Sequence, residues 1–158
     1  MKLSDIPKHV TEMDPPWFSQ EFGKKYGYDS HLKYEEVTPV FHLDYYDGPL
    51  SGIVIFGGHH FYVESIYFED KCWWASWELT PQELQTALEN NRIFEENVGS
   101  HTRYFRDEEG DLQRDLSLVK PQETWGNYYK NDQVPKVDYN AVKEREIFGI
   151  LHNPFRSW

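Results

Sequence analysis

Cysteine is almost missing from this chain, whose 158 residues contain only Cys72. One cysteine cannot form an internal disulfide, which excludes the small secreted folds that several disulfides hold together. A chain of this length buries roughly two thirds of its unfolded surface without such bridges. We therefore expect a conventional hydrophobic core, in which Cys72 is a small buried filler beside Trp73.

Long apolar runs are missing as well. The most apolar window, residues 53–68, is interrupted by glycines, histidines and Glu64. It falls short of the ~20 consecutive apolar residues that a membrane-spanning helix requires. The first residues show no apolar stretch followed by a small-residue cleavage pattern, which a signal peptide would have. We therefore expect a soluble, cytoplasmic protein that does not bind membranes.

Basic residues are scarce: 16 lysines and arginines stand against 27 aspartates and glutamates, which leaves a formal net charge of −11. This charge repels a phosphate backbone, so we expect no nucleic acid partner. A basic protein is the better electrostatic match. The same charge can also be explained by solubility alone, because a net charge keeps proteins in solution. Charge by itself therefore identifies no partner.

The sequence lacks the motifs of nucleotide binding and covalent catalysis. Neither G-x-x-x-x-G-K-[ST] nor G-x-G-x-x-G occurs, and Gly57-Gly58 has the composition of a turn. Ser51 lacks the flanking glycines of a nucleophile elbow, and Cys72 lies among tryptophans without an activating base. We expect no cofactor, and these residues indicate no enzymatic activity.

Aromatic residues, in contrast, are abundant, and they make up 17% of the chain. Side chains of this kind dominate cores and interfaces, which excludes a disordered tail. Between residues 39 and 79 the sequence has four strand-like runs, of which 51–56 is apolar on both sides, as a central strand is. Turn signals such as Asp47-Gly48-Pro49 and Gly57-Gly58 separate the runs. This pattern predicts a four-stranded or larger antiparallel meander.

A helix is predicted directly after the meander. Thr80-Pro81-Gln82-Glu83 combines a threonine cap, a proline at the first helical position and a glutamate three residues after the cap. From residue 81 to about residue 98 the apolar side chains, including Leu84, Ala87 and Leu88, recur at helical spacing. We expect this amphipathic helix to pack on one face of the sheet, which makes the fold α+β.

The whole chain, residues 1–158, is expected to form one domain. Residues 1–38 would be an irregular anchor with a short helix at 17–26, and residues 99–158 would be rich in loops. Within the latter we expect a hairpin of 103–106 with 112–119 and a long loop at 120–136. After them, Asp138 would cap a helix from about residue 139 to residue 151, although 147–151 could equally form a strand.

Trp73, Trp74 and Trp77 form a cluster of tryptophans in the fourth run. Successive side chains of a strand point to opposite sides, so this cluster is distributed over both sides. Trp73 and Trp77 share one side, which we expect to be core beneath the helix. Trp74 is on the other side among polar residues. It is either a binding anchor on an exposed surface or a core residue that the N-terminal or C-terminal segment covers.

Histidines and carboxylates form the second candidate site. His60, Tyr62 and Glu64 share one side of a strand, and His42 and Asp44 lie on a neighbouring strand. Together they could line a small pocket with acid and base groups. A catalytic zinc ion needs three protein ligands, and no spacing here supplies a third, so we expect no metal.

The leading functional hypothesis is a protein-binding module that holds a basic partner, as small inhibitor and immunity-type proteins do. The side chains expected to bind the partner are Trp74, Tyr46, Tyr62, Glu64, Glu89 and Glu96. The alternative is a small enzyme or small-molecule binder with a sheet-face pocket, whose catalytic residues would be His42, Asp44, His60 and Glu64. A third alternative is a structural subunit of a larger assembly. The oligomeric state is not predicted.

Overall fold

The structure is a computed structural model that describes residues 2–5, 37–45, 49–68, 71–99, 104–151 and 154–155. The chain folds into two compact units. The first unit combines the described residues up to Leu79 with those from Asp138 onward, and the second unit consists of Thr80–Val137. The expected single domain stays a prediction, and so does the packing of the long helix on the sheet, since helix and sheet belong to different units.

The described elements confirm an α+β fold. In chain order they are β1 (Thr38–Tyr45), β2 (Pro49–Phe56), β3 (His59–Phe68), β4 (Lys71–Glu78), α1 (Pro81–Asn97), β5 (Tyr104–Arg106), β6 (Leu112–Arg114), α2 (Gln122–Tyr129), α3 (Tyr139–Lys143) and β7 (Gly149–Leu151). Two short 3-10 turns add to them, at Leu3–Asp5 and Leu116–Leu118. The helix expected at 17–26 lies outside the described residues.

A five-stranded antiparallel sheet forms the first unit, in the order β1-β2-β3-β4-β7. The predicted meander of four strands is thereby confirmed, and β7 joins it from the C-terminal part. The turn between β2 and β3 uses two glycines with positive φ, Gly57 at 58° and Gly58 at 77°. Only glycine adopts this conformation without strain, and it matches the right-handed twist of a hairpin.

One side of the sheet, which we call the apolar face, carries Val54, Phe61, Val63 and Trp74. Their side chains form one buried cluster with Val37, Phe56 and Phe155. At Gly52 on the same face, a β-carbon would collide with the ring of Phe155 and with the backbone of Phe41. The close approach of three chain segments therefore explains why this strand position is a glycine.

The opposite side, which we call the clasp face, carries Ile53, Tyr62, Glu64 and Trp77. Ile53 is fully buried, and Tyr62 and Trp77 are only 3% and 1% exposed. The helix α3 lies over this face, because the ring of Tyr139 stacks on the ring of Tyr62. Both faces of β2 and β3 are thus covered within the first unit.

The helix α1 confirms the strongest local signal of the sequence. The Thr80 hydroxyl accepts a hydrogen bond from the Glu83 amide, and the Glu83 carboxylate accepts one from the Thr80 amide. The expectation that Leu88 faces the core is wrong, since Leu88 is 42% exposed. At 3.6 residues per turn Leu88 lies roughly 100° from the centre of the stripe that Ala87 and Val98 define.

The rest of the second unit contains the predicted hairpin and one helix that was not predicted. The predicted hairpin is confirmed as β5 paired with β6, although its second strand ends at Arg114. The loop expected at 120–136 is wrong in its first half, which forms α2. Gly126 lowers the helix propensity of this segment. Contacts override that, because the Thr124 hydroxyl donates to the Asn97 carbonyl oxygen and the ring of Tyr128 packs on Phe94.

The helix predicted from about residue 139 to residue 151 is too long, because α3 ends at Lys143, and the alternative of a strand near the end of this segment is confirmed by β7. Asp138 caps α3 by accepting a hydrogen bond from the Ala141 amide, as predicted. The chain then forms the strand β7, which pairs with Trp74, Ala75 and Ser76 of β4. None of the helices in the described part of the chain combines the length and apolar character of a membrane-spanning segment.

Candidate functional site

Trp74 was the main expected anchor for a partner, and its expected exposure is wrong. The side chain is 1% exposed, and its ring contacts the ring of Phe155 edge to face at 5.4 Å. The alternative, cover by terminal segments, is what the structure shows, since Val37 and Phe155 both belong to the buried cluster. Trp74 therefore offers no surface to a partner in this structure.

Tyr62 is also buried, whereas Glu64 keeps part of its surface. Tyr62 is 3% exposed, and the Glu64 side chain is 30% exposed. Tyr46 lies outside the described residues, as do the side chains of Cys72 and Trp73. Of the expected anchors on the sheet, Glu64 alone is placed by the structure where a partner could reach it.

Glu64 is held by hydrogen bonds from two directions. The Tyr62 hydroxyl donates to its Oε2 at 2.5 Å, and the Lys143 ammonium lies 3.2 Å from the same oxygen and 3.3 Å from Oε1. Tyr62 and Glu64 are two residues apart in β3, so their side chains lie on the same side of the strand, as predicted. Lys143 belongs to α3. Hydrogen bonds to an ionised carboxylate are shorter and stronger than those between neutral groups.

An aromatic stack completes this arrangement. The ring of Tyr62 lies 4.4 Å from the ring of Tyr139 and 5.8 Å from that of Trp77. We call Tyr62, Glu64, Tyr139 and Lys143 together the clasp. The sequence analysis missed Tyr139 and Lys143, although their spacing of four residues places them on one side of a helix and is a readable signal.

The expected pocket of histidines and carboxylates is not assembled. His60 pairs with Ile55, and His42 pairs with Gly52. Since directly opposed residues share a face and successive residues alternate, His42 is on the apolar face and His60 on the clasp face. The ring of His42 accordingly contacts Phe155. The backbone of Asp44 pairs with Ser51, and the side chain of Asp44 is outside the described part.

The structure changes the titration of His60. Partial burial lowers its pKa below the usual value, and the positive charge of the neighbouring His59 lowers this pKa further. His59 itself lies 3.0 Å from the Glu78 carboxylate at the end of the sheet. His60 and Glu64 share a face, but His42 lies on the opposite face, so the four expected residues are not brought together as one group.

The acidic surface of α1 is only partly as expected. Glu89 and Glu96 are exposed, and Arg92 lies between them at 2.7 Å from each carboxylate. Hydrogen bonds from Arg92 lower the pKa of Glu89. Asn90 of the same helix donates to the Pro135 carbonyl oxygen and accepts from the Tyr128 hydroxyl. Arg92 therefore neutralises part of the charge that we expected this surface to present.

A second group of carboxylates lies in the turn between β5 and β6. Oxygens of Asp107, Glu109 and Asp111 come within 4.8 Å of one another. Hydrogen bonds to Asp107, chiefly from the Asp111 amide, lower its pKa, and Gln113 and Glu109 contribute less. These bonds explain the arrangement as turn chemistry, and we assign no ligand to it.

Large apolar side chains are exposed mainly in the second unit. Leu116 is 67% exposed and Tyr129 is 58% exposed. Neither was predicted from the sequence to be exposed, and Tyr129 was expected to pin the loop at 120–136, because period and capping signals do not report exposure in short turns and helices. Comparisons of the chain with models of protein families, with curated proteins and with solved structures found no match.

Proposed function

We propose that this chain is an acidic protein-binding module that engages a basic protein partner. The observation that carries the proposal is the exposed outer surface of α1, where Glu89, Glu95 and Glu96 outnumber Arg92. Carboxylates at the rim of an interface attract a basic partner and speed encounter. The formal charge of −11 for the chain acts in the same direction at longer range.

Trp74 and Tyr62 are buried in this structure, so the apolar side chains that are already exposed to such a partner are other residues. Tyr129 and Leu116 are the most exposed large apolar side chains among the described residues. Tyrosine is enriched where truncation weakens protein interfaces most. We therefore assign the anchor role to Tyr129 and a supporting contact to Leu116.

Binding of a basic protein is tested in two steps. Affinity capture from lysate with mass spectrometry identifies the partner, and surface kinetics then measure its association and dissociation rates over a range of salt. Raising ionic strength from 0.1 M to 1 M shortens the screening length from about 10 Å to about 3 Å, so the association rate should fall. An acidic partner, or an association rate that does not respond to salt, contradicts the proposal.

Two charge variants of α1 sharpen the measurement. Glu89→Gln and Glu96→Gln remove negative charge and should slow association, whereas Arg92→Gln frees both carboxylates and should speed it. Glu144→Gln in the first unit is the matched control for an exposed carboxylate elsewhere. Tyr129→Ala should mainly accelerate dissociation, since it removes contact area rather than charge.

A further inference from the structure

The clasp face carries a contact that a basic partner could imitate. Tyr139 and Lys143 are four residues apart in α3, and both point to the sheet: the ring stacks on Tyr62 at 4.4 Å and the ammonium lies 3.2 Å from Glu64. A flat ring and a cation at this spacing are the groups that a basic amphipathic helix presents on one side. Their receptors, Tyr62 and Glu64, belong to β3.

The helix α3 depends on these contacts. It has five residues, and helices much shorter than about 12 residues are not stable by themselves in water. Its position is maintained by the cap at Asp138, the buried side chain of Val142 and the clasp. A segment with so little intrinsic helix stability can exchange for another segment that offers the same groups.

We propose that α3 is an autoinhibitory mimic of the partner, which presents an aromatic residue and a lysine or arginine four positions apart on a helix and replaces Tyr139 and Lys143 on Tyr62 and Glu64. This proposal rests on the proposed function, because it specifies the chemistry of the basic partner. An internal competitor has a high effective concentration, so it lowers the apparent affinity of the partner. Weakening the contacts of α3 should therefore strengthen binding from outside.

The test uses the full chain and a synthetic peptide that copies residues 136–146. Tyr139→Ala removes the internal ring, and the affinity for the peptide should rise about two- to tenfold, which is the contribution of one aromatic pair. Adding Glu64→Gln should cancel part of this gain. The control peptide has alanine in place of its tyrosine, and Leu118→Ala, at an exposed side chain of the second unit, is the matched control variant.

A second variant keeps the apolar contacts of α3, so the test can still be made if Tyr139→Ala does not fold. Lys143→Met retains the aliphatic part of the side chain and removes the ammonium, and it should raise the affinity for the peptide by up to about fivefold. Circular dichroism establishes whether each variant is folded. If both variants are folded and neither binds the peptide better than the unchanged chain does, the proposal is wrong. Unfolding of both would also overturn it, since a displaceable segment cannot be required for the fold.

The outcomes separate this proposal from the proposed function. A gain in peptide affinity together with an acidic captured partner supports autoinhibition and contradicts the basic-partner function. If the captured partner is basic and its association rate depends on salt, but its affinity is the same for Tyr139→Ala and the unchanged chain, autoinhibition alone is contradicted.

Discussion

On the apolar face of the sheet, Trp74 is covered by Phe155 and the cluster around Val37, whereas on the clasp face Tyr62 is covered by Tyr139 and Lys143. The first cover is entirely apolar and leaves Trp74 1% exposed. The second combines a stacked ring with an ion pair whose carboxylate is 30% exposed. The two faces of the same strands are therefore covered in two ways, one by apolar contacts alone and one by a stacked ring together with an ion pair.

The two covers differ in what they depend on. Apolar burial is not directional, and its contribution grows with the area removed from water. Hydrogen bonds and ion pairs at partly exposed sites contribute less in net terms, because water competes for the same groups. We therefore expect the apolar face to determine stability, and the clasp to be the part that can open.

The largest effect is expected from Trp74→Ala on the apolar face. Removal of a fully buried indole should lower the free energy of unfolding by about 3 to 5 kcal/mol, because the cavity cannot close completely. Denaturant unfolding followed by circular dichroism measures this value. Leu116→Ala, at a side chain that is 67% exposed, is the control with little expected change. Similar small losses in both variants would mean that Trp74 is not part of the core.

A smaller loss is expected from Gly52→Ala, which overpacks the same face. The added methyl group would meet Phe155 and the backbone of β1, and overpacking of this kind costs about 1 to 3 kcal/mol. Gly126→Ala in α2 is the matched control, for which we expect a change in stability of the opposite sign. A β-carbon at this position would have its nearest neighbour, an atom of the Lys130 side chain, 3.8 Å away. Alanine is the better helix former, so this change should stabilise the protein. A stable Gly52→Ala protein would argue against the close approach.

The clasp should respond less than the apolar face. Tyr62→Phe and Lys143→Met each remove one hydrogen bond to Glu64, and we expect each to lower the free energy of unfolding by about 0.5 to 1.5 kcal/mol. Because both variants act on one carboxylate, their effects should not add. A double-mutant cycle measures the coupling, and salt should weaken the effect of Lys143→Met more than that of Tyr62→Phe. Strict additivity would show that Glu64 does not link the two side chains.

The smallest effect concerns His60 and pH. Because the folded state lowers the pKa of His60, the unfolded chain takes up the proton first as the pH falls below about 6.5. Stability should therefore decrease slightly as the pH falls through this range, until folded His60 is protonated as well. His60→Gln should remove this part of the pH dependence, and thermal unfolding between pH 5 and pH 8 checks it. An unchanged profile would show that His60 titrates alike in both states.

Local patterns in the sequence were sufficient for several elements. The capping box at Thr80 and Glu83, the glycine turn at Gly57-Gly58 and the apolar patterns of β2 to β4 each depend on residues that are close in the chain. Each of these predictions is confirmed, because short-range hydrogen bonds and side-chain periodicity decide the structure there. The cap at Asp138 belongs to the same class.

The faces of the sheet and the candidate site were decided by residues far apart in sequence. Trp74 looks exposed in its own strand, because Ser76 and Glu78 share its side, but residues far away in the chain, such as Val37 and Phe155, help to bury it. The separation of His42 from His60 depends on the register between strands, which no local pattern contains. Contacts such as Lys143 with Glu64 form only when the chain closes on itself, so the sequence by itself determined the elements and their turns, and the tertiary structure alone decided what covers them.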